Sequence, residues 1–306
     1  MQKIIPHLWF DKNASEAVAF YVTVFPNSQI QHSIQLRNTP SGDCDLLNFT
    51  LNGQELMAMG AGPEFRPTPA ASFIVNYDPA LFGNDEAEAK KELDRAWAAL
   101  SEGGQALMPL DEYPFSKHYG WIQDRYGVSW QLMLSKPEGE PRPFIVPSLM
   151  FTGHNAGRAS EAIDYYCSIF PNARKGAAHQ YPEGSEQDPA NTLMYADFQL
   201  EDIWIACMDS GYPHAFNFNE AFSLVITCAD QEEIDYYANK LSADPRFEQC
   251  GWLKDKFGLS WQVSSAELET IMREGTQDEI DRVTQAIMPM KKLDIQKIHA
   301  AAKGDS

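Results

Sequence analysis

Two stretches of this chain nearly repeat each other: GWIQDRYGVSWQL at 120–132 and GWLKDKFGLSWQV at 251–263. Seven of the 13 aligned positions are identical, and five of the other six keep their chemical type. Two tryptophans in matched register, in a chain with seven, are not expected of chance. Each copy predicts a short strand, an Asp-x-aromatic-Gly turn whose glycine can take φ > 0, and a second strand alternating through Trp and Gln. The chain is therefore read as a tandem duplication in which both halves close with the same hairpin.

The rest of the sequence supports that reading. IIPHLWF (4–10) predicts a strand that matches IVPSLMF (145–151). ASEAVAFYVTVFPN (14–27) and ASEAIDYYCSIFPN (159–172) share eight of 14 residues. They read as helices, the first with Asn13 and Glu16 spaced as a capping box. Strands are expected at 29–36, 46–51 and 55–59, and Asn52-Gly53 is a strong hairpin signal between the last two. A further strand (72–77), helix (85–102) and three strands (105–110, 118–123, 128–134) complete the first half. The second half offers strands at 195–200, 203–208 and 223–227 and a helix capped by Asp230. This gives an α+β chain of four β-α-β-β-β units, two per domain. The expected domains are 1–137 and 144–264, joined by a Pro-rich linker at 138–143. The tail, 265–306, has no counterpart in the first half. It reads as three helices that pack on a domain or on a partner subunit. A lone unit leaves one sheet face bare, and pairing two units curls their sheets around a cavity, the default ligand site. The sequence leaves open whether the domains pair with each other or with another subunit.

Composition limits the function. With 306 residues and 44% apolar content the chain can bury sizeable cores. A net charge of −19 disfavours nucleic acid and anionic membranes. It would suit a cationic small ligand, although solubility explains it as well. No apolar run is long enough to span a bilayer, and no signal-peptide pattern opens the chain, so a cytoplasmic protein is expected. Five unevenly spaced cysteines without a CxxC read as reduced thiols.

The runs P-x-L-x-F, A-S-E-A-x-x-[FY]-Y-x-x-x-F-P-N, the Asn-Gly hairpin and G-W-x-x-D-[KR]-[FY]-G-x-S-W-Q resemble the PhnB-like proteins. These belong to the glyoxalase, bleomycin-resistance and dioxygenase group, the vicinal oxygen chelate (VOC) superfamily. Many carry the label "3-demethylubiquinone-9 3-methyltransferase-like". The resemblance implies two tandem glyoxalase-like domains. It also implies a divalent metal held by His or Gln on a unit's first strand and by Glu near the end of its last strand.

Carried over by position, that site is poor. The first domain offers Pro6 or His7, Ser72 and Gln131, and the second offers Pro147 or Ser148, Ser223 and Gln262. Only His7 and Gln131 remain as weak metal candidates, short of the usual three ligands. No cofactor is expected. Met57 and Met59 read as core or as an adaptable pocket wall. Tyr113 and His118, in the segment 112–120, could belong to a lid, and 216–220 to a pocket rim. Trp130 and Trp261 should face the helices if Gln131 and Gln262 face the cavity. No glycine-rich loop joins a strand to a helix, which argues against S-adenosylmethionine-dependent methyl transfer. The leading expectation is a small-molecule binder without a robust metal, with a homodimer through the tail or sheets as an option. The alternative is a metal-dependent lyase, isomerase or dioxygenase acting in the first domain.

Overall fold

The computed structural model describes residues 2–136, 140–182 and 192–304; positions 138 and 139 of the expected linker lie outside them. The first unit is β1 (Ile4–Phe10), α1 (Ala14–Val24), β2 (Gln29–Thr39), β3 (Gly42–Leu51) and β4 (Gln54–Gly60). The second is β5 (Ala71–Asn76), α2 (Glu86–Ser101), β6 (Gln105–Tyr113), β7 (Ser116–Gln123) and β8 (Ser129–Met133). The third is β9 (Ile145–Phe151), α3 (Ala159–Ile169), β10 (Arg174–Gln180), β11 (Leu193–Leu200) and β12 (Ile203–Asp209). The fourth is β13 (Phe222–Cys228), α4 (Gln231–Leu241), β14 (Trp252–Lys254) and β15 (Ser260–Ser265). The tail forms α5 (Ala266–Glu274), α6 (Gln277–Ile287) and α7 (Ile295–Lys303).

The units pair across the halves. Sheet A runs β14-β15-β13-β1-β4-β3-β2, and sheet B runs β10-β11-β12-β9-β5-β8-β7-β6. Sheet A thus joins the first and fourth units, and sheet B the second and third. The seams are antiparallel: β1 meets β13 with Ile4 opposite Ile226, and β5 meets β9 with Ala71 opposite Leu149. The two halves therefore pair with each other, the point left open by the sequence. Each cavity-forming sheet takes one unit from either half rather than both from one.

Helices α1 and α4 cover one face of sheet A, and α2 and α3 one face of sheet B. A common apolar core fills the space between, with Phe73 of sheet B against Phe222 of sheet A at 6.0 Å. Alternation decides which residues enter it. Along β1, Ile4, Leu8 and Phe10 join this core while His7 and Trp9 point to the other face.

The repeated hairpin is held by its aspartate. Asp255 accepts bonds from the amides of Phe257 and Leu259, from Trp261 Nε1 at 2.9 Å and from Tyr166 OH at 2.7 Å. Asp124 accepts from the amides of Tyr126 and Val128 and from Trp130 Nε1 at 2.8 Å. Trp130 and Trp261 are fully buried among the helices, as the alternation requires. In the first copy Gly120 lies under the Trp97 ring, where a Cβ would stand 2.4 Å from Cζ3.

Some expectations change. Asn13 makes no side-chain cap on α1, and the Glu16 carboxylate accepts from Tyr126 OH at 2.8 Å. Residues 112–120 are mostly strand: β6 and β7 run through them into a tight hairpin. Strand β10 gave no apolar signal, since its residues are mostly exposed at the edge of sheet B. In the fourth unit a 3-10 turn at Pro245–Phe247 stands where the second unit has β6. The amides of Cys250 and Gly251 bond instead to the tail carbonyls of Met290 and Lys291.

Candidate functional site

Each sheet turns a similar polar row away from the helices. In sheet A, β1 places His7 opposite Ser223 of β13 and opposite Met57 of β4. Gln262 of β15 lies opposite Trp252 of β14. Gln262 Nε2 donates to Ser223 Oγ at 2.9 Å, and Ser223 Oγ lies 3.4 Å from His7 Nδ1. The other ring nitrogen, His7 Nε2, is a buried atom with no hydrogen-bond partner among the described residues. Burial pushes the His7 pKa down to about 3, so the ring is neutral at physiological pH. Trp252 meets it edge-on at 5.5 Å, and Trp9 and Phe65 extend the aromatic wall.

Sheet B repeats the row with different chemistry. Ser148 takes the place of His7, opposite Ser72. Gln131 Nε2 donates to Ser72 Oγ at 2.9 Å, and Gln131 Oε1 accepts from Tyr119 OH at 2.7 Å. Ser148 Oγ and Trp121 Nε1 are buried without partners among the described residues. The one-residue ambiguity at the first strands is thereby resolved: His7 and Ser148 face these bowls, and Pro6 and Pro147 do not.

The candidates named from sequence therefore fall into two groups. His7, Met57, Ser223 and Gln262 stand together in sheet A, and Ser72, Gln131 and Ser148 in sheet B. His7 and Gln131 are in different sheets and share no site, because the units pair across the halves. His118 leaves the bowl altogether. It alternates to the helix side of β7, where Nε2 lies 2.5 Å from Asp94 of α2. Tyr113 packs against Phe115 and Tyr119 at the hairpin end. The 216–220 segment ties the halves together, with the Asn217 carbonyl accepting from Thr68 and Asn219 donating to the Arg66 carbonyl.

Bowl A has a roof. Helix α5 touches β13 and β15 and also β2, at opposite ends of the strand order, so the sheet curls around it. Beneath lies a cavity of about 130 Å³. Its walls include Met57, Met59, Trp252 and Gln262 from the sheet and Leu268 and Met272 from the tail. Glu269, also in the wall, accepts from Thr227 Oγ1 at 2.5 Å, and burial raises its pKa. These tail residues escaped the sequence reading, although the apolar stripe Leu268, Ile271, Met272, Ile280, Val283, Ile287 marks a face that must be buried.

A family described as 3-demethylubiquinone-9 3-methyltransferase matches residues 2–133 and again 143–264. The chain belongs to this PhnB-like family. Among solved structures it is similar to the PhnB protein of Bacillus cereus at 38% identity, over 44% of this chain and 100% of that one (TM-score 0.38). A Pseudomonas aeruginosa protein matches at 24% identity, over 45% and 100% (TM-score 0.37). Glyoxalase I from Zea mays matches at 10% identity, over 78% and 80% (TM-score 0.45). No curated protein matches the chain.

The donors in this PhnB-like protein do not fit the divalent metal that the sequence resemblance implies. The row in bowl A offers the His7 imidazole, the Gln262 amide and the Ser223 hydroxyl, the cavity wall adds His32, Cys250 and Glu269 without a converging set, and in bowl B the Gln131 carbonyl oxygen already accepts from Tyr119. Divalent ions want carboxylate, thiolate or several imidazole ligands. Among the described residues no three His, Cys, Asp or Glu side chains converge, and no helix is long and apolar enough to cross a membrane.

Proposed function

We propose that this PhnB-like protein binds a small, neutral, largely apolar organic molecule in bowl A, without a resident metal. The observation that carries the reading is the cavity itself. Methionine and aliphatic side chains with Trp252 make up most of its walls, and the hydrogen-bonded row Gln262–Ser223–His7 runs along the sheet beside it. Methionine adapts its shape to irregular ligands, and apolar walls with a few fixed polar groups are the usual make-up of small-molecule sites. His7 Nε2, unpartnered among the described residues, is a buried hydrogen-bonding group that a polar atom of such a molecule would satisfy. The acidic surface suits a cation better than this interior does, because the wall's Glu269 is engaged by Thr227 and has a raised pKa.

The methyl transfer in the family's description has no support from this chain's loops. Gly60 ends β4 and Gly62 follows it, but they lead to an irregular segment rather than a helix.

N-phenyl-1-naphthylamine, a neutral apolar fluorophore, tests the reading. The protein is expected to enhance its emission saturably, and Met57→Trp, which fills the bowl, is expected to abolish the enhancement while circular dichroism is unchanged. No saturable enhancement, or full enhancement in Met57→Trp, would sink the assignment.

A further inference from the structure

The tail does two separable things. Helix α6 shields the outer edge of sheet A: β2 ends the strand order, and Gln277 and Gln285 donate to the carbonyls of Gln35, Arg37 and Asn38. A bare strand edge invites aggregation, so this much serves stability alone. Helix α5 is not needed for that. It directs Leu268 and Met272 into the bowl, and the Met272 carbonyl accepts from His32 Nε2 at 3.1 Å.

The segment is fastened at both ends. Strand β15 runs into α5 at Ser265, whose hydroxyl caps the helix by accepting from the Leu268 amide at 3.0 Å. Beyond α6, Met290 and Lys291 accept from the amides of Cys250 and Gly251 at 2.6 and 2.9 Å. Between these anchors, β2 is gripped by half-buried Gln277, exposed Gln285 and the Asp281–Arg37 pair at 3.6 Å, and by Ile280 in a small apolar cluster, while Val283 and Ile287 of α6 join the main core. Exposed pairs of this kind hold weakly.

The cavity, about 130 Å³, is smaller than the roughly 300–1,000 Å³ of typical small-molecule sites. A molecule of ordinary metabolite size fits only if its roof moves. We infer that α5 and α6 form a strap that lifts on its β2 side to admit the ligand and then closes over it. Leu268 and Met272 are then part of the binding site, and entry is controlled by the strap. The inference rests on the reading of bowl A as a ligand chamber.

Stopped-flow fluorescence with N-phenyl-1-naphthylamine separates the two ideas. The full-length variant Gln277→Ala/Asp281→Ala/Gln285→Ala loosens the grip on β2 through polar side chains outside the apolar cluster. Its association rate is expected to rise about tenfold, as for the loss of several modest hydrogen bonds. An unchanged rate, with probe binding intact, overturns the strap and leaves the chamber. Failure of the parent protein to bind the probe overturns the chamber, and the strap with it. Hydrogen exchange on the parent gives a second readout: saturating probe should slow exchange of the α6 amides, and unchanged exchange overturns the strap.

Discussion

The two ionisable groups that say most about this protein sit on opposite faces of the sheets. Asp255 is surrounded by four donors, and its burial raises its pKa. Removing it strands those donors, so Asp255→Ala should cost at least about 3 kcal/mol in urea unfolding. Survival at parental stability would show that the turn is held otherwise. His7 is a base whose folded pKa of about 3 lies below its ordinary 6.5. The unfolded chain therefore takes the proton first, and the stability tied to neutral His7 is complete above about pH 6.5. It drains by about 1.4 kcal/mol per pH unit on the way down towards the folded value. Urea midpoints across pH 3–7 should fall more steeply for the parent than for His7→Gln. Parallel curves would mean that the imidazole is not buried as described. The motif Asp was legible in sequence as a turn. That it clasps Trp and Tyr from elsewhere was not, because those partners are set by packing.

At the level of elements, the duplicated hairpin fixes close approaches that only glycine permits. Gly120→Ala should drive Trp97 off its seat in α2 and cost about 1–3 kcal/mol. Trp97→Leu in the same chain should recover most of that, measured as a double-mutant cycle. Full additivity would place the strain elsewhere. Most elements could be read from periodicity and turn residues: Asn52-Gly53 forms the expected hairpin, and Asp230 caps α4 as expected. The failures have physical causes. Strand β10, Arg174–Gln180, is an exposed edge strand without an apolar face, and His118 turned to α2 because alternation along β7 puts it one residue from the bowl-facing Tyr119.

For the whole molecule, what local pattern could not show is which units would pair. Any of the four can close a sheet, so the choice rests on contacts such as Ile4 with Ile226, far apart in sequence. Because both sheets need strands from both halves, a chain cut within 137–143 should stay together as a one-to-one complex when its pieces are co-expressed. Each piece alone should associate or aggregate rather than run as a folded monomer, as read by size-exclusion light scattering. A stable monomeric half would refute the cross-half pairing. The same pairing frees the two bowls from each other. An assembly of two identical chains about a two-fold axis must show every feature twice. Here the first strands belong to one covalent chain, so one bowl holds His7 beneath the tail while the other holds Ser148 beside a glutamine bound to Tyr119. Broken symmetry of that kind lets a duplicated protein keep one hollow as scaffold while the other acquires a ligand of its own.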